Sequence, residues 1–372
     1  MSSLLFRNKT NILISSLLSA NPFCRHVNQF HLIKGNFIVK TNYKFLRGPL
    51  FFAAIALSAS ANAADCGKVT ISDMNWASAE FAAYLDQFIL NNGYDCDAEL
   101  VPGDTVPTTT SMIEKNEPDI APELWVNSAR AAIDQAVTDG KLAITVNILK
   151  DGGEEGWWVP RYTAEAHNLK TVADVLAHPE LFPAPEDSSK GAFVTCPSGW
   201  GCEINNGNLF RAFELEKAGF VKVDPGSAAG LDGSIAKAFE REENWFGYYW
   251  APTSILGKYD MVKLDFDADY DPDNWNNCIV KEGCENPQKT SWTVSDVRTA
   301  VTQQFIDRVP AEVVDYLSKR SYHNPVLNNL LAWMTDEQAT GEDGALYFLK
   351  NHEDLWSQWV TEAAAAKIKS SL

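Results

Sequence analysis

Residues 69–101 read VTISDMNWASAEFAAYLDQFILNNGYDCDAELV, and this stretch contains the pattern that indicates the fold class. Val69-Thr-Ile71 is typical of a short strand, and Cys96 to Val101 is typical of a second strand that follows the helix-ending Gly93. Between them, Ala79 to Leu90 carries apolar side chains at helical spacing. These side chains are Phe81, Leu85, Phe88 and Ile89. A strand–helix–strand unit of this kind predicts an α/β architecture.

The alternation of strands and helices continues along the chain. The further predicted elements are helices at Thr108 to Lys115, Ser128 to Thr138, Asn208 to Ala218 and Ser234 to Glu243, and strands at Asp119 to Trp125, Val221 to Val223, Trp245 to Trp250 and Met261 to Phe266. From Val294 onward the pattern is mostly helical, with Pro310 at a helix start and an amphipathic end from Leu355 to Ile368.

The first sixty residues have a composition of their own, with seven basic side chains and no acidic one. They end in an apolar run, Leu50 to Leu57, and the triplet Ala61-Asn-Ala63 follows. This order predicts a secretory signal segment, residues 1–63, that is removed and whose apolar run is too short to be a permanent anchor. The excess length before about Lys40 indicates either a start codon assigned too far upstream or a two-part targeting sequence. Asp65 before Cys66 argues against lipid attachment.

Removal of residues 1–63 leaves 309 residues with 24 basic and 49 acidic side chains, a net charge near −25. This length suits two domains with cores of their own. So acidic a surface repels nucleic acid and anionic lipid and favours cationic partners, although a merely solvated surface explains the charge equally well.

Six cysteines remain after this cleavage, and an even number in an exported chain implies disulfides. Six cysteines allow fifteen pairings, so the connectivity does not follow strictly. Two pairs enclose short loops, Cys196 with Cys202 and Cys278 with Cys284, which leaves Cys66 with Cys96. A metal site is disfavoured because no histidine lies beside them at ligand spacing.

All twelve tryptophans of the chain follow the signal segment, and four of them recur at a strand end or in the turn after it. These four are Trp76, Trp125, Trp200 and Trp250. Ligands of open α/β sheets bind at the carboxyl ends of strands. Several indole faces that converge there attract a cation that cannot donate hydrogen bonds, and a trimethylammonium group fits this description. Any single tryptophan is more often a core or surface residue.

The segment Cys196-Pro-Ser-Gly-Trp-Gly-Cys202 leads toward a helix that is predicted to begin near Glu203. Free backbone N–H groups at a helix start bind a carboxylate. The segment therefore offers Trp200 to a cation and the amides of Gly201 and Cys202 to an anion, which together suit a zwitterion such as a betaine. A surface turn held by a disulfide is the plainer interpretation.

With these motifs the chain resembles the glycine betaine/proline betaine-binding proteins of ABC importers and the related choline-binding proteins, over essentially its whole length after the signal segment. The resemblance is most specific at Cys196 to Glu203 and at the following Asn208-Leu-Phe-Arg-Ala-Phe-Glu-Leu215. It implies a ligand-binding set that joins three cage tryptophans, an aromatic residue at the first strand end, two carboxylate-binding amides and one further aromatic candidate. In that order these residues are Trp125, Trp200, Trp250, Trp76, Gly201, Cys202 and Trp157.

The resemblance also implies the architecture and the role. The fold is expected to be a two-lobed, type II periplasmic binding protein, in which each lobe is a mixed sheet flanked by helices and the ligand cleft lies between the lobes. Residues 64–148 and 290–372 form lobe 1 and residues 149–289 form lobe 2, with crossings near Val146 to Gly152 and Gln288 to Ser291. The expected protein is a periplasmic monomer without a cofactor, metal or nucleic-acid partner. It passes glycine betaine, proline betaine, choline, carnitine or dimethylsulfoniopropionate to an ABC permease in the inner membrane.

One position departs from the betaine-binding pattern. The family carries a carboxylate-binding histidine four residues after the first cage tryptophan, and this chain has Ala129 there, followed by Arg130. Arg130 is expected to face solvent, and His323 is expected to be a satisfied structural histidine. The cation half of the site therefore transfers better than the anion half.

Two other classes of function compete with solute import. A secreted glycosidase also lines its cleft with aromatic residues and uses paired carboxylates, for which Glu154-Glu155 and Glu242-Glu243 are candidates. Surface charge is the expected explanation of both pairs. No catalytic motif of the common hydrolase types occurs in the sequence. A binding protein that presents its solute to a chemoreceptor has the same site, so the sequence does not separate it from an importer component.

Overall fold

The computed structural model of the protein describes residues 66–372, so the predicted signal segment lies outside the described residues. Within that range, no helix combines the length and the apolar character that crossing a bilayer requires.

Lobe 1 is built on a five-stranded mixed sheet in the order β2-β1-β3-β10-β4. Its strands, numbered in chain order, are β1 (Lys68–Met74), β2 (Asp97–Gly103), β3 (Ile120–Trp125), β4 (Leu142–Asn147) and β10 (Val297–Thr302). β1 runs parallel to both β2 and β3, whereas β10 is antiparallel to β3 and β4. Every side chain of β3 is buried, as expected for a central strand that is covered on both faces.

Lobe 2 repeats this arrangement in the order β7-β6-β8-β5-β9. Its strands are β5 (Glu154–Pro160), β6 (Gly191–Val194), β7 (Phe220–Val223), β8 (Gly247–Ala251) and β9 (Met261–Lys263). β6 is parallel to β7 and β8, and β5 is antiparallel to β8 and β9. In each sheet the antiparallel strand, β10 or β5, is the one whose chain arrives from the other lobe.

Helices flank both sheets, which confirms the predicted α/β class with two mixed sheets. They are α1 (Ala77–Tyr94), α2 (Thr105–Lys115), α3 (Arg130–Thr138), α4 (Arg161–His167), α5 (Val172–Leu176), α6 (Gly201–Ala212), α7 (Ala228–Arg241), α8 (Ser254–Lys258), α9 (Pro272–Asn274), α10 (Gln303–Arg308), α11 (Ala311–Lys319), α12 (Asn324–Glu337), α13 (Gly341–Asn351), α14 (Glu353–Trp356) and α15 (Glu362–Ser371). Short 3₁₀ turns lie at Val126–Ser128 and Pro179–Leu181, and a π-helical turn lies at Trp275–Ile279.

Strands β4, β5 and β6 have no counterpart in the sequence expectation, and two further elements differ from it. The segment after Val294 is not helical at first, because Val297–Thr302 forms β10 between β3 and β4. That pairing is non-local, so local periodicity carries little sign of it. Helix α6 (Gly201–Ala212) begins close to the start predicted near Glu203 and before the helix predicted from Asn208 to Ala218, and its second residue is Cys202 of the Cys196–Cys202 disulfide.

The three disulfides are Cys66–Cys96, Cys196–Cys202 and Cys278–Cys284, as the loop lengths had indicated. The first ties the start of β1 to the start of β2. The second closes the loop between β6 and α6.

The chain passes from the first sheet to the second between Asn147 and Glu154, and it returns before Val297. The two crossing segments pair with each other through Gly153 and Ser295. The N–H of Gly153 donates to the Ser295 carbonyl at 2.9 Å, and the Ser295 N–H donates to the Gly153 carbonyl at 2.7 Å. This two-stranded joint lies beside the cavity between the lobes.

Candidate ligand site

A cavity lies between the lobes where several strands end. It is lined by Trp76, Thr105, Trp125, Ser128, Glu155, Trp200, Gly201, Cys202, Tyr248 and Trp250. Six of the seven ligand-binding residues expected from the sequence are in this set. The exception is Trp157.

The four tryptophans at strand ends come from both lobes, and we call them the cage tryptophans. Trp76 follows β1 and Trp125 ends β3, both in lobe 1, whereas Trp200 precedes α6 and Trp250 lies in β8 of lobe 2. All four are at least 91% buried. The Trp76 and Trp200 ring centroids lie 5.2 Å apart at 70°, and those of Trp200 and Trp250 lie 5.2 Å apart at 83°. The lobes thus contact each other through aromatic rings.

Hydrogen bonds also cross between the lobes next to the cavity. The indole N–H of Trp200 donates to Oδ1 of Asn75 at 2.7 Å, and the N–H of Val106 donates to the Gly199 carbonyl at 3.1 Å. Trp275 Nε1 donates to the carbonyl of Asn127 at 3.0 Å. The cleft is therefore closed around the cavity.

Glu155 brings a carboxyl group into the cavity wall and is only 3% exposed. Its Oε1 accepts a hydrogen bond from the Tyr248 hydroxyl at 2.8 Å, and its Oε2 accepts one from the Ser295 hydroxyl at 2.5 Å. Burial raises the pKa of Glu155, while the two hydroxyl donors oppose the rise. Burial and the neighbouring Glu155 raise the pKa of Tyr248 well above its ordinary range, so Tyr248 remains a donor.

The expectation that Glu154-Glu155 is a pair of surface charges is therefore wrong for Glu155. Successive side chains of a strand point to opposite faces, so the two neighbours in β5 diverge. Glu154 is 53% exposed and pairs with Lys263 at 3.1 Å. Glu242 and Glu243, by contrast, are both exposed.

The start of α6 is the part of the cavity wall whose chemistry suits an anion. Within the described residues, the N–H groups of Gly201 and Cys202 have no backbone acceptor. Ser128 of lobe 1 packs against Gly201 so closely that a Cβ at position 201 would overlap its side chain. The N-terminal end of a twelve-residue helix attracts negative charge, and the missing Cβ lets the opposite lobe approach it.

Trp157 does not line the cavity, because it belongs to the core of lobe 2. It is fully buried, its indole N–H donates to Oδ1 of Asn206 at 2.8 Å, and its ring packs against Phe193 and Phe266. Trp157 points to the same face of β5 as Glu155 but lies two residues further from the start of the strand.

Arg130 and His323, the two candidates to replace the family's histidine, are also absent from the cavity lining. Arg130 pairs with Asp296 at 2.7 Å and donates to Asn127, and His323 is an exposed partner of Asp151 at 3.2 Å. No basic side chain is among the residues that line the cavity. Ala129 itself has no charge, and no residue that lines the cavity supplies a cationic partner for a carboxylate in its place.

Sequence reasoning missed four residues of the lining, Thr105, Ser128, Glu155 and Tyr248. Ser128 and Tyr248 stand within three residues of predicted cage tryptophans, so proximity along the chain was the available signal. Among residues 66–372, no group of three or more His, Cys, Asp or Glu side chains is arranged to hold a metal ion.

Two similar lobes that close over an aromatic cavity define a two-lobed solute-binding protein. The matching family model covers residues 67–351 and is described as the substrate binding domain of ABC-type glycine betaine transport systems. This chain belongs to that family. Its members are substrate-binding components of transporters rather than enzymes.

Individual relatives agree with the family and the fold. The glycine betaine/proline betaine-binding periplasmic protein of Salmonella typhimurium is 28% identical over 233 residues, which cover 59% of this chain and 67% of the relative. An ABC-transporter choline-binding protein in complex with choline has a TM-score of 0.65 at 18% identity, covering 82% of this chain and 98% of that one. A glycine betaine/L-proline-binding protein of Borrelia burgdorferi has a TM-score of 0.64 at 16% identity, covering 81% and 99%.

Proposed function

We propose that this protein captures a small onium solute between its lobes and delivers it to an ABC importer from the periplasm. The observation that carries the proposal is the convergence of four tryptophans from both lobes on one cavity. Glycine betaine, proline betaine, choline, carnitine and dimethylsulfoniopropionate all carry a head group of this kind. Membership of the family and the periplasmic relative support the transport role and the location.

The chemistry of the wall favours a methylated cation. Indole faces attract a cation through their quadrupole, and each face contributes on the order of 0.5–2 kcal/mol. Glu155 adds a carboxyl group on the same wall. A methylated onium group makes no hydrogen bonds, so a cavity rich in aromatic rings and one acidic group suits it.

The opposite end of the solute meets a weaker site. The Gly201 and Cys202 amides are available to a carboxylate or hydroxyl, but the Ser128 hydroxyl already donates to the Trp125 carbonyl at 2.8 Å, and no arginine, lysine or histidine lines the cavity. We therefore propose that the cationic head group provides most of the affinity. A solute with net positive charge, such as choline, is favoured over a zwitterion because Glu155 compensates only positive charge.

Binding is proposed to stabilise the closed form through a hinge at the crossing segments. We place the lobes at residues 64–148 with 290–372 and at residues 149–289, and the paired segments at Gly153 and Ser295 form the joint. A ligand that touches cage tryptophans of both lobes shifts the equilibrium toward closure by its difference in affinity for the two forms. The closed monomer then docks on the permease.

Calorimetry of the purified protein tests the proposal directly. The five solutes named above are titrated, with proline as a ligand that lacks methylated nitrogen. We expect at least one onium solute to bind with micromolar or tighter affinity, because three or four faces together reach that range. If all five solutes leave the protein silent, the proposal fails.

The matched variants are Trp200→Ala in the cage and Trp333→Ala outside it. Trp333 stacks on Tyr347 with centroids 4.0 Å apart and lines no part of the cavity. Loss of one desolvated face costs roughly 1–2 kcal/mol, so Trp200→Ala should weaken binding about tenfold or more. Trp333→Ala should leave the affinity unchanged. Equal affinities in both variants would mean that the cage is assigned to the wrong residues.

A further inference from the structure

A charged side chain lies in the middle of β3, a strand in which every residue is buried. Glu123 is 0% exposed, and one of its oxygens accepts three hydrogen bonds. Oε1 receives the indole N–H of Trp76 at 2.8 Å, the hydroxyl of Ser78 at 2.8 Å and the indole N–H of Trp125 at 3.2 Å. Two of the four cage tryptophans thus share one acceptor atom.

The sheet explains how one atom reaches both rings. β1 and β3 are adjacent and parallel, with Ile71 opposite Ile120. Trp76 and Trp125 each stand five residues beyond that pair, so both emerge at the same edge of the sheet. Glu123 precedes Trp125 by two residues and therefore points to the same side of β3.

We propose that Glu123 is a positioning residue of the cage, which orients the Trp76 and Trp125 rings through their N–H edges and places negative charge behind them. This inference rests on the proposed function, because it concerns the faces that meet the onium group. An indole held by its N–H edge has one fixed plane, so its face is ready for the ligand before binding. Hydrogen bonds to an ionised acceptor polarise the donor, which strengthens the negative potential of the ring face.

The hydrogen-bond donors on Oε1 and the guanidinium of Arg320 favour the ionised form of Glu123, against the effect of its burial. Arg320 is completely buried nearby, but its Nε and one terminal nitrogen bind Asp86 at 2.7 and 3.0 Å. One guanidinium thus serves two buried carboxyl groups. Oε2 of Glu123 has no hydrogen-bond partner within residues 66–372. Glu123 itself is not among the residues that line the cavity.

Few charged groups within residues 66–372 face the Glu123 carboxyl group. The hydroxyl of Tyr322 and the guanidinium of Arg320 face it from the segment after α11, and the hydroxyl of Ser78 faces it from α1. Burial raises the pKa of Glu123, and the three hydrogen bonds and Arg320 oppose that rise. A core acid that only stabilises the fold would have the same burial, so affinity for a cation must be compared with affinity for a neutral ligand of the same shape.

The experiment pairs Glu123→Gln with two onium probes and their carbon analogues. The probes are choline with a dimethylbutanol, and glycine betaine with a dimethylbutyrate, in which carbon replaces the nitrogen. Glutamine keeps an oxygen acceptor of the same shape but removes the charge. We expect onium affinity to fall about tenfold, the size of the effect of one charged hydrogen-bond partner, while the analogue of the same pair changes less than about threefold.

The matched control is Asp119→Asn. Asp119 immediately precedes β3 at its other end, is largely buried, and pairs with Arg308 at 2.6 Å away from the cage. It should leave both affinities unchanged. An equal loss for onium and neutral probes in Glu123→Gln would show a merely structural role and overturn the inference.

A measurement on the unmodified protein decides the matter if Glu123→Gln does not fold. In a spectrum of protein with ¹⁵N-labelled indoles, the protons of Trp76 and Trp125 should resonate downfield of the Trp157 proton, whose acceptor is the neutral amide of Asn206. Signals for Trp76 and Trp125 that lie upfield of it overturn the inference. If neither onium probe binds, the proposed function is contradicted instead. The spectrum still tests whether Glu123 holds the Trp76 and Trp125 rings.

Discussion

Glu154 and Glu155 are neighbours in the chain with opposite surroundings. Glu154 lies at the surface beside Lys263, and Glu155 lies in the cavity wall between Tyr248 and Ser295. The pleat of β5 alone makes this difference, because it turns alternate side chains to opposite faces. The pair therefore offers a site variant and a control one residue apart.

Glu155→Gln should weaken choline binding and reduce its dependence on pH. Burial raises the pKa of Glu155, so protonation in mildly acidic solution removes the charge that a cation needs. Choline affinity of the unmodified protein should be high above that pKa and fall as the pH drops through it. Loss of a charged partner costs about 1.5–3 kcal/mol, which corresponds to about tenfold or more in affinity at neutral pH.

Calorimetry between pH 4 and pH 8 measures this effect, because the range extends upward from the ordinary glutamate pKa of about 4.3. Glu154→Gln is the control. The control should bind choline like the unmodified protein at every pH. A pH profile of Glu155→Gln that follows the unmodified protein would assign the titration to another group.

Trp157→Phe should change stability without changing ligand affinity. The substitution deprives the buried Oδ1 of Asn206 of its indole donor and leaves part of an aromatic cluster empty. An unsatisfied buried acceptor costs about 1–3 kcal/mol, so the free energy of unfolding should fall by that amount. Urea unfolding followed by circular dichroism measures it. A loss of onium affinity in the folded variant would return Trp157 to the binding site.

At the scale of elements, the two crossing segments bring the hinge and the cage together. Gly153 of one segment pairs with Ser295 of the other, and a Cβ at position 153 would overlap the ring of Trp125. Ser295 in turn donates its hydroxyl to Glu155. The joint between the lobes therefore contacts both the aromatic and the acidic wall of the cavity.

Gly153→Ala should weaken onium binding because the added methyl group pushes Trp125 out of its place. A ring displaced from a cage costs roughly the 1–2 kcal/mol of one desolvated face, so we expect about tenfold lower affinity by calorimetry. Gly233→Ala in α7 is the control, since a Cβ there meets nothing within 4 Å. If Gly153→Ala binds as tightly as the control, the Trp125 ring does not contribute its face to the ligand.

At the scale of the whole molecule, the lobes meet at the cavity and again at their rim. The hydroxyl of Thr335, in α12 of lobe 1, donates to the hydroxyl of Ser254 at the start of α8 in lobe 2, at 2.8 Å. Such hydrogen bonds are few and partly exposed, whereas the ring contacts lie inside the cavity. We therefore expect a solute held by rings from both lobes to decide how firmly the molecule stays closed.

Thermal unfolding should report this coupling. A solute that binds only the folded, closed protein adds about 2.7 kcal/mol to the free energy of unfolding at a hundredfold excess over its Kd. Scanning calorimetry should therefore show a higher Tm with the onium solute that binds. Trp200→Ala should show a smaller rise at the same concentration, and an equal rise would mean that the solute binds outside the cage.

Much of the fold could be predicted because it is written in local patterns. The helical spacing between Ala79 and Leu90 and the apolar run before Trp125 predict α1 and β3, since each buries one continuous face. Strands β4, β5, β6 and β10 escaped prediction, and for β10 the reason is that its place between β3 and β4 depends on a return from the other lobe. The loop lengths between cysteines indicated two of the disulfides, because short loops bring their ends together locally, and Cys66–Cys96 followed as the remaining pair.

The sequence by itself determined which residues stand at strand ends, and therefore that Trp76, Trp125, Trp200 and Trp250 point toward one edge of each sheet. Only the tertiary structure decided which other groups meet them there. Closure of the lobes brings Glu155 and Ser128 to the cavity, and the parallel pairing of β1 and β3 places Glu123 between two indoles. These contacts join residues far apart in the chain, and the free energy that selects them comes from burial in a common core rather than from any local pattern.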